Sequence, residues 1–353
     1  MARITMQEIA NLAGVCLATV SRTIHSPHLV KPDTLERVKA VMEKNRYVYN
    51  ATAGDFSRKR STVIGVIIPT TKGAIFSNST QAIQEAAQER GFSLIMGNTG
   101  YDADVEIDLL RRFQERRLAG IILTGFGIGR EKVIQEMVRS GIPCVVVWEV
   151  LRNSSLSFVG FSNFQAALSM TEYLIRLNHR RIGLILGPYT RIGRARRRLE
   201  GYRSALERNG LIFDPAIVRE RMPTLKEGKE AMAELLALPD PPSAVFAASD
   251  MLALGAMAAV REKGLRIPED ISVAGFDDID FAAYSAPPLT TVRVPAREMG
   301  ERAVSVLLDM IEGRCKNPPR VILPTEIVIR ESCREWDPPP GHARRRGQKR
   351  KSD

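Results

Sequence analysis

The chain has 353 residues, 44% of them hydrophobic, which is enough for more than one core. Its net charge of +11 is gathered at the ends: residues 1–60 carry +5 and residues 334–353 carry +4, leaving +2 for the long middle. No apolar run approaches a membrane span, the start MARITMQEIA lacks the apolar stretch of a secretory signal, and Cys16, Cys144, Cys315 and Cys333 have no metal-ligand spacing; a membrane protein, a disulfide scaffold and a zinc module are therefore set aside, and a cytoplasmic protein with reduced thiols is expected.

Residues 5–24, TMQEIANLAGVCLATVSRTI, predict two short amphipathic helices joined by a tight turn. Thr5 followed three residues later by Glu8 is a capping-box pattern, and Ile9, Ala10 and Leu12 give the first helix an apolar face. Gly14 suits the turn because it accepts a positive φ. The second helix is expected to bury Val20 and Ile24 and to expose Leu17, Ala18, Ser21 and Arg22. So small a helix-turn-helix has little core to make, and its outward face suits the major groove of DNA; an ordinary helical hairpin is the plainer alternative. A third helix, about 32–45, carries Leu35, Val38, Val41 and Met42 at helical spacing and closes the head. The polar stretch ATAGDFSRKRS after Tyr47–Asn50 has no core pattern and reads as a linker.

From residue 62 onward apolar strands alternate with amphipathic helices. TVIGVIIP, FSLIMGN, AGIILTG, CVVVW and FVGF are separated by helices near 78–90, 104–117 and 130–140. RIGLILG, AVFAAS and ISVAGFDD follow, among helices near 164–177, 194–209, 226–237 and 250–263. Near-continuous apolar strands indicate parallel sheets covered on both faces. The expected fold is an all-α helix-turn-helix head on an α/β body of two doubly wound parallel-sheet subdomains, with a ligand cleft at the strands' carboxyl ends. The expected boundaries are 1–46 for the head, 47–61 for the linker and 62–333 for the body. Within the body, 62–161 with 292–322 forms one subdomain and 162–291 with 323–333 the other; 334–353, with three prolines and a basic run, is expected to be a disordered tail.

Taken together, these segments resemble the lactose/galactose-repressor (LacI/GalR) family of bacterial transcription regulators. The resemblance is carried by IANLAGVCLATVSRTI in the head and YVYNATAGDFSRKRSTVIGV at the linker. In the body it rests on VGFSN (159–163), ARRRLEGYRSAL (195–206), ASDMLALGAM (248–257) and IPEDISVAGFDDIDFAAYSAPPLTTV (267–292). It covers residues 1–333, and VGFSN points toward the gluconate-repressor branch. It implies a body similar to periplasmic sugar-binding proteins, operator DNA as partner, a homodimer and a small sugar or sugar-acid effector.

By the same resemblance the second helix offers Leu17, Ala18 and Arg22 to base edges, and Arg22 can bond bidentately to guanine. Thr5, Thr19, Ser21, Thr34 and Asn50 stand at phosphate-contact positions. Three departures stand out: Cys16 where the family has Ser or Thr as N-cap, His25 for a common Asn, and Phe56 for the leucine that wedges into the minor groove. In the body, Arg198 and Asp277 are implied to hold effector hydroxyls, with Phe76 and Ser77 on the opposite wall and Ser249 in place of a frequent Asn. Trp148 either stacks on a sugar ring or plugs the crossover. Of the cluster Arg191, Arg194, Arg196, Arg197 and Arg198, helical periodicity sends only some members toward the cleft.

No GxSxG, HExxH, GxxxxGK[ST] or CxxC occurs, and the four histidines are scattered. No enzyme, metal or cofactor is expected. The rival readings are a sugar-binding protein without a regulatory role and a sugar-processing enzyme. The head argues against the first, and the lack of a nucleophile or metal set argues against the second.

Overall fold

The computed structural model describes residues 4–49, 61–71, 74–151, 154–315 and 317–337. The chain divides into two compact units, Met1–Ser61 and Thr62–Asp353. In the first, α1 (Met6–Ala13), α2 (Leu17–His25) and α3 (Pro32–Lys44) enclose Ile9, Ala10, Ala13, Val20 and Val38. The capping box is formed: the Thr5 amide donates to Glu8 Oε2 at 2.7 Å and the Glu8 amide donates to Thr5 Oγ1 at 3.2 Å. Gly14 ends α1 in the left-handed conformation, φ 63°. Leu12 is not part of the core; it is 59% exposed. A helix turns about 100° per residue, so once Ile9 and Ala13 set the inward direction Leu12 falls outside it. Thr23 is buried instead, its hydroxyl donating to the Thr19 carbonyl at 3.0 Å.

The second unit opens with β1 (Val63–Ile68), α4 (Ala74–Gln88), β2 (Ser93–Asn98), α5 (Ala103–Glu115), β3 (Gly120–Thr124), α6 (Glu131–Arg139), β4 (Cys144–Val147) and β5 (Ser157–Gly160). There follow α7 (Asn163–Arg176), β6 (Ile182–Leu186), α8 (Gly193–Arg208), β7 (Val218–Glu220), α9 (Leu225–Leu236), β8 (Ala244–Ala247), α10 (Asp250–Glu262) and β9 (Ser272–Ala274). The last elements are α11 (Asp280–Tyr284), β10 (Thr291–Arg293), α12 (Ala296–Ile311), β11 (Arg320–Ile322) and β12 (Glu326–Val328). Two parallel sheets result, in the orders β11-β5-β4-β3-β1-β2 and β7-β6-β8-β9, and β10 and β12 form an antiparallel pair. The chain crosses between the halves after β5, after β10 and after β11.

Interior strands β1, β3, β4 and β5 are buried almost throughout, as their unbroken apolar runs require, whereas β2 is an edge strand with Met96 51% exposed. The helix α12, which the alternating pattern does not reveal, packs on α4 and on β3 and β4. Helices α9 and α10 approach until a Cβ on Gly255 would lie 2.0 Å from the Leu225 carbonyl oxygen, so glycine is required there.

Residues 334–337 do not belong to a disordered tail. The Trp336 amide donates to the Leu177 carbonyl at 2.8 Å and its indole stacks on the His179 ring with centroids 5.9 Å apart. Residues 338–353 lie outside the described ones. His179 is fully buried, with Nδ1 2.9 Å from Ser243 Oγ and Nε2 3.1 Å from Ser272 Oγ. Burial pulls its pKa down from 6.5 to about 4. The neutral ring is therefore the folded form, and the unfolded chain takes up the proton first. Stability from this group is intact above pH 6.5 and is lost as pH falls from 6.5 through about 4. Urea unfolding followed by tryptophan fluorescence should lose stability across that window, and His179→Gln should flatten the slope; an equally steep slope in the variant would remove His179 as its source.

Candidate functional site

On the head, Leu17, Ala18 and Arg22 are exposed on one side of α2, beside half-buried Ser21 and Thr19. Thr34 is half-buried at the start of α3. Thr5 is exposed, but its hydroxyl is held in the cap of α1, donating to Glu8 Oε2 at 2.9 Å. Cys16 is the N-cap of α2 without making a side-chain cap bond. Its Sγ lies 3.2 Å from Thr19 Oγ1, and that hydrogen bond pulls the thiol below its usual pKa. The hydroxyl that could reach a phosphate from Thr19 is thus shared with sulfur. Asn50 and Phe56 lie outside the described residues.

In the second unit a cavity of about 490 Å³ opens at the carboxyl ends of the strands of both sheets. Phe76 comes from the first turn of α4, Trp148 from the end of β4, Arg194 and Arg198 from the first turns of α8, Ser249 from the end of β8 and Asp277 from beyond β9. Ser77 does not line it and is exposed. The reason is local: α4 begins at Ala74, ahead of the expected residue 78, so Phe76 and Ser77 sit on a helix and point about 100° apart.

Three non-glycine residues with positive φ line this cavity: Tyr101 at 66°, Trp148 at 74° and Asp277 at 121°. Such backbones are costly and persist where the surroundings over-determine them, which happens at binding sites. The Trp148 indole is 1% exposed and edge-on to Phe76 and Phe161, with centroids 5.1 and 5.9 Å away. It seals the back wall and offers no open stacking face. Its Nε1 has no hydrogen-bond partner among the described residues.

Arg198 is buried and held on every side. Its Nε donates to Asn163 Oδ1 at 2.8 Å, its Nη1 donates to the Ala248 carbonyl at 2.6 Å, and the guanidinium lies 3.6 Å from the Phe276 ring centroid. Burial lowers its pKa to about 10, against the pull of Asp277. Asn163 Nδ2 in turn donates to the Trp148 carbonyl at 2.8 Å. Burial pushes the Asp277 carboxyl up, a shift that Arg198 opposes, and Ser249 hydrogen-bonds to it. Asp278 faces elsewhere, paired with Arg293 and Arg330 at 2.6 and 2.7 Å, so the two adjacent carboxylates do not share a site. Asp250 fixes this loop: its carboxylate accepts from the Ile279 amide at 2.9 Å and from Thr291 Oγ1 at 2.6 Å.

Arg194 is the other buried member of the arginine cluster; Arg191, Arg196 and Arg197 are exposed. Its guanidinium lies 5.5 Å from the Phe76 ring and 5.8 Å from Tyr101, and its amide donates to buried Glu149 Oε1 at 3.0 Å. The i, i+4 spacing of Arg194 and Arg198 was the sequence signal for this pair. Tyr101, Asn163 and Glu149 had none, because each owes its place to a turn or crossover. Among the described residues no helix is long and apolar enough to cross a membrane.

Residues 5–50 match the family model described as bacterial regulatory proteins, lacI family, and residues 171–333 match the periplasmic binding protein-like domain. The chain is 33% identical over 330 residues to the HTH-type transcriptional repressor CytR of Escherichia coli (strain K12), covering 94% of this chain and 96% of that protein. The solved lac repressor dimer bound to operator and the anti-inducer ONPF is similar with a TM-score of 0.83 at 28% identity, covering 94% of this chain and 100% of that one. The transcriptional regulator CelR in complex with cellobiose gives a TM-score of 0.69 at 31% identity, with 94% of this chain and 100% of that chain covered.

The bonds of Arg198 make it structural as well as cavity-lining. Arg198→Ala should orphan the Asn163 and Ala248 oxygens and lower the unfolding free energy by about 1–3 kcal/mol for each. Urea denaturation of the purified chain is the check, and an unchanged midpoint would contradict the assignment.

Proposed function

The chain belongs to the LacI family of bacterial regulatory proteins, and from that premise we propose that a small sugar or sugar acid in the 490 Å³ cavity controls its affinity for operator DNA. The observation that carries the reading is the convergence on one cavity of Arg198, Asp277 and three strained backbones, those of Tyr101, Trp148 and Asp277. Guanidinium donors, a carboxyl acceptor and aromatic walls suit a ligand that presents hydroxyls at its edge and C–H groups on its faces. Two buried arginines favour an anionic or densely hydroxylated member of that class, such as gluconate. The relatives' names are those of repressors and regulators, which supports regulation by binding over catalysis.

On the DNA side, Leu17, Ala18 and Arg22 read base edges in the major groove, and Thr19, Ser21 and Thr34 position the head on phosphates. Two heads of a homodimer meet a pseudo-palindromic site. The effector acts through its different affinity for two states of the protein, and the coupling free energy is reciprocal between ligand and operator.

Two variants separate the two surfaces. Arg22→Ala should weaken operator binding by about 1–3 kcal/mol and relax the preference at one guanine, read by gel-shift on selected sites; an unchanged site preference would reduce Arg22 to a phosphate contact. Asp277→Asn, which tolerates the positive φ, should bind operator normally and lose about 1–3 kcal/mol of affinity for the sugar found by thermal-shift screening. Full ligand affinity in that variant would refute the cavity assignment while leaving the regulator in place.

A further inference from the structure

A second chamber of about 550 Å³ adjoins the first and is not accounted for by the reading above. It lies at the carboxyl ends of β1, β2 and β3, under the first turn of α5, and is closed from the other half of the unit by residues 190–192 and Arg194. Tyr101, Ile192 and Arg194 line both chambers, so the Arg194 guanidinium stands in their common wall.

The floor holds Glu106, which is 7% exposed and whose Oε1 has no hydrogen-bond partner among the described residues. The Gly127 amide bonds to the same carboxyl, and burial pushes its pKa up to about 7. A buried oxygen without a donor is costly, and a ligand hydroxyl is one means of satisfying it. The remaining charged groups of the wall are donors, Arg130 and Arg194, apart from Asp102, whose carboxylate already accepts from the Asp104 amide at 2.8 Å. Acceptor and donors on one wall call for neighbouring ligand atoms that both give and take hydrogen bonds. Vicinal hydroxyls on a ring do this.

We propose that this chamber holds a second, hydroxylated ring of the effector, so that the controlling molecule is a disaccharide or glycoside whose first ring lies against Arg198 and Asp277. The inference rests on the sugar reading of the first chamber. Arg194 serves both rings, and Glu106 accepts from a hydroxyl of the second.

The test is calorimetry on the full chain with glucose and gluconate as one-ring probes and cellobiose, maltose, lactose and sucrose as two-ring probes. At least one two-ring sugar should bind about tenfold tighter than either one-ring probe, and Glu106→Ala should bring that ratio close to one. Glu106→Ala removes an unsatisfied buried group, so its thermal midpoint should stay at or above the wild-type value, and Glu106→Gln should lose part of the advantage. Equal affinities for one- and two-ring probes would overturn the inference and leave the first chamber's reading standing. So would a ratio untouched by Glu106→Ala. Two one-ring molecules bound per chain, falling to one in Glu106→Ala, would show separate ligands and overturn the link between the rings. Binding of no sugar at all would sink the sugar reading itself, and the inference with it.

Discussion

The hydrogen-bonded chain from the Trp148 carbonyl through Asn163 to Arg198 and on to the Ala248 carbonyl is the constraint on which the rest of the body's site depends. It ties together four segments: the end of β4, the first crossover, the start of α8 and the end of β8. A buried guanidinium offers donors in a fixed plane and cannot shed its charge, so the acceptors around it must stay where they are. The Phe276 ring beneath it and Asp277 beside it complete the cage. Loss of any acceptor would leave charge uncompensated in a low-dielectric interior.

Strain and electrostatics meet at the same place. Tyr101, Trp148 and Asp277 hold positive φ values around a single cavity, although only glycine adopts such backbones freely. Asp250 supplies part of the compensation by bonding the Ile279 amide and Thr291, which locks the turn that bears Asp277. Buried carboxyls at Glu106, Glu149 and Asp277 are all pushed toward their neutral forms by desolvation, with arginines pulling the other way. Such a site is set up to respond to a ligand whose polar groups replace missing partners, and a ligand binding two states unequally shifts the balance between them.

The head follows a different economy of structure. Its core is five fully buried residues, and the capping box and the left-handed Gly14 set the geometry of the turn. The exposed positions of α2 are therefore free of packing duties, which is what a base-reading surface needs.

Much of this was legible in the residues. The capping box, the turn glycine, the alternation of strands and helices and the tandem halves rest on local chemistry and periodicity, and the motifs around Arg198 and Asp277 placed both near one cleft. Local rules failed where rotation about a helix axis or a crossover decided the outcome. Leu12 and Ser77 turned outward because their neighbours claimed the inward direction. Trp336 docked on His179 because Ser243, Ser272 and the Leu177 carbonyl, distant in sequence, form a receptive surface for that segment. The sequence alone determined the class of fold, the DNA-reading face and the family, since these depend on spacing along the chain. Tertiary structure alone decided which arginines are buried, that Trp148 is a wall and that Glu106 lacks a partner, since burial and hydrogen-bond satisfaction are properties of residues far apart in sequence.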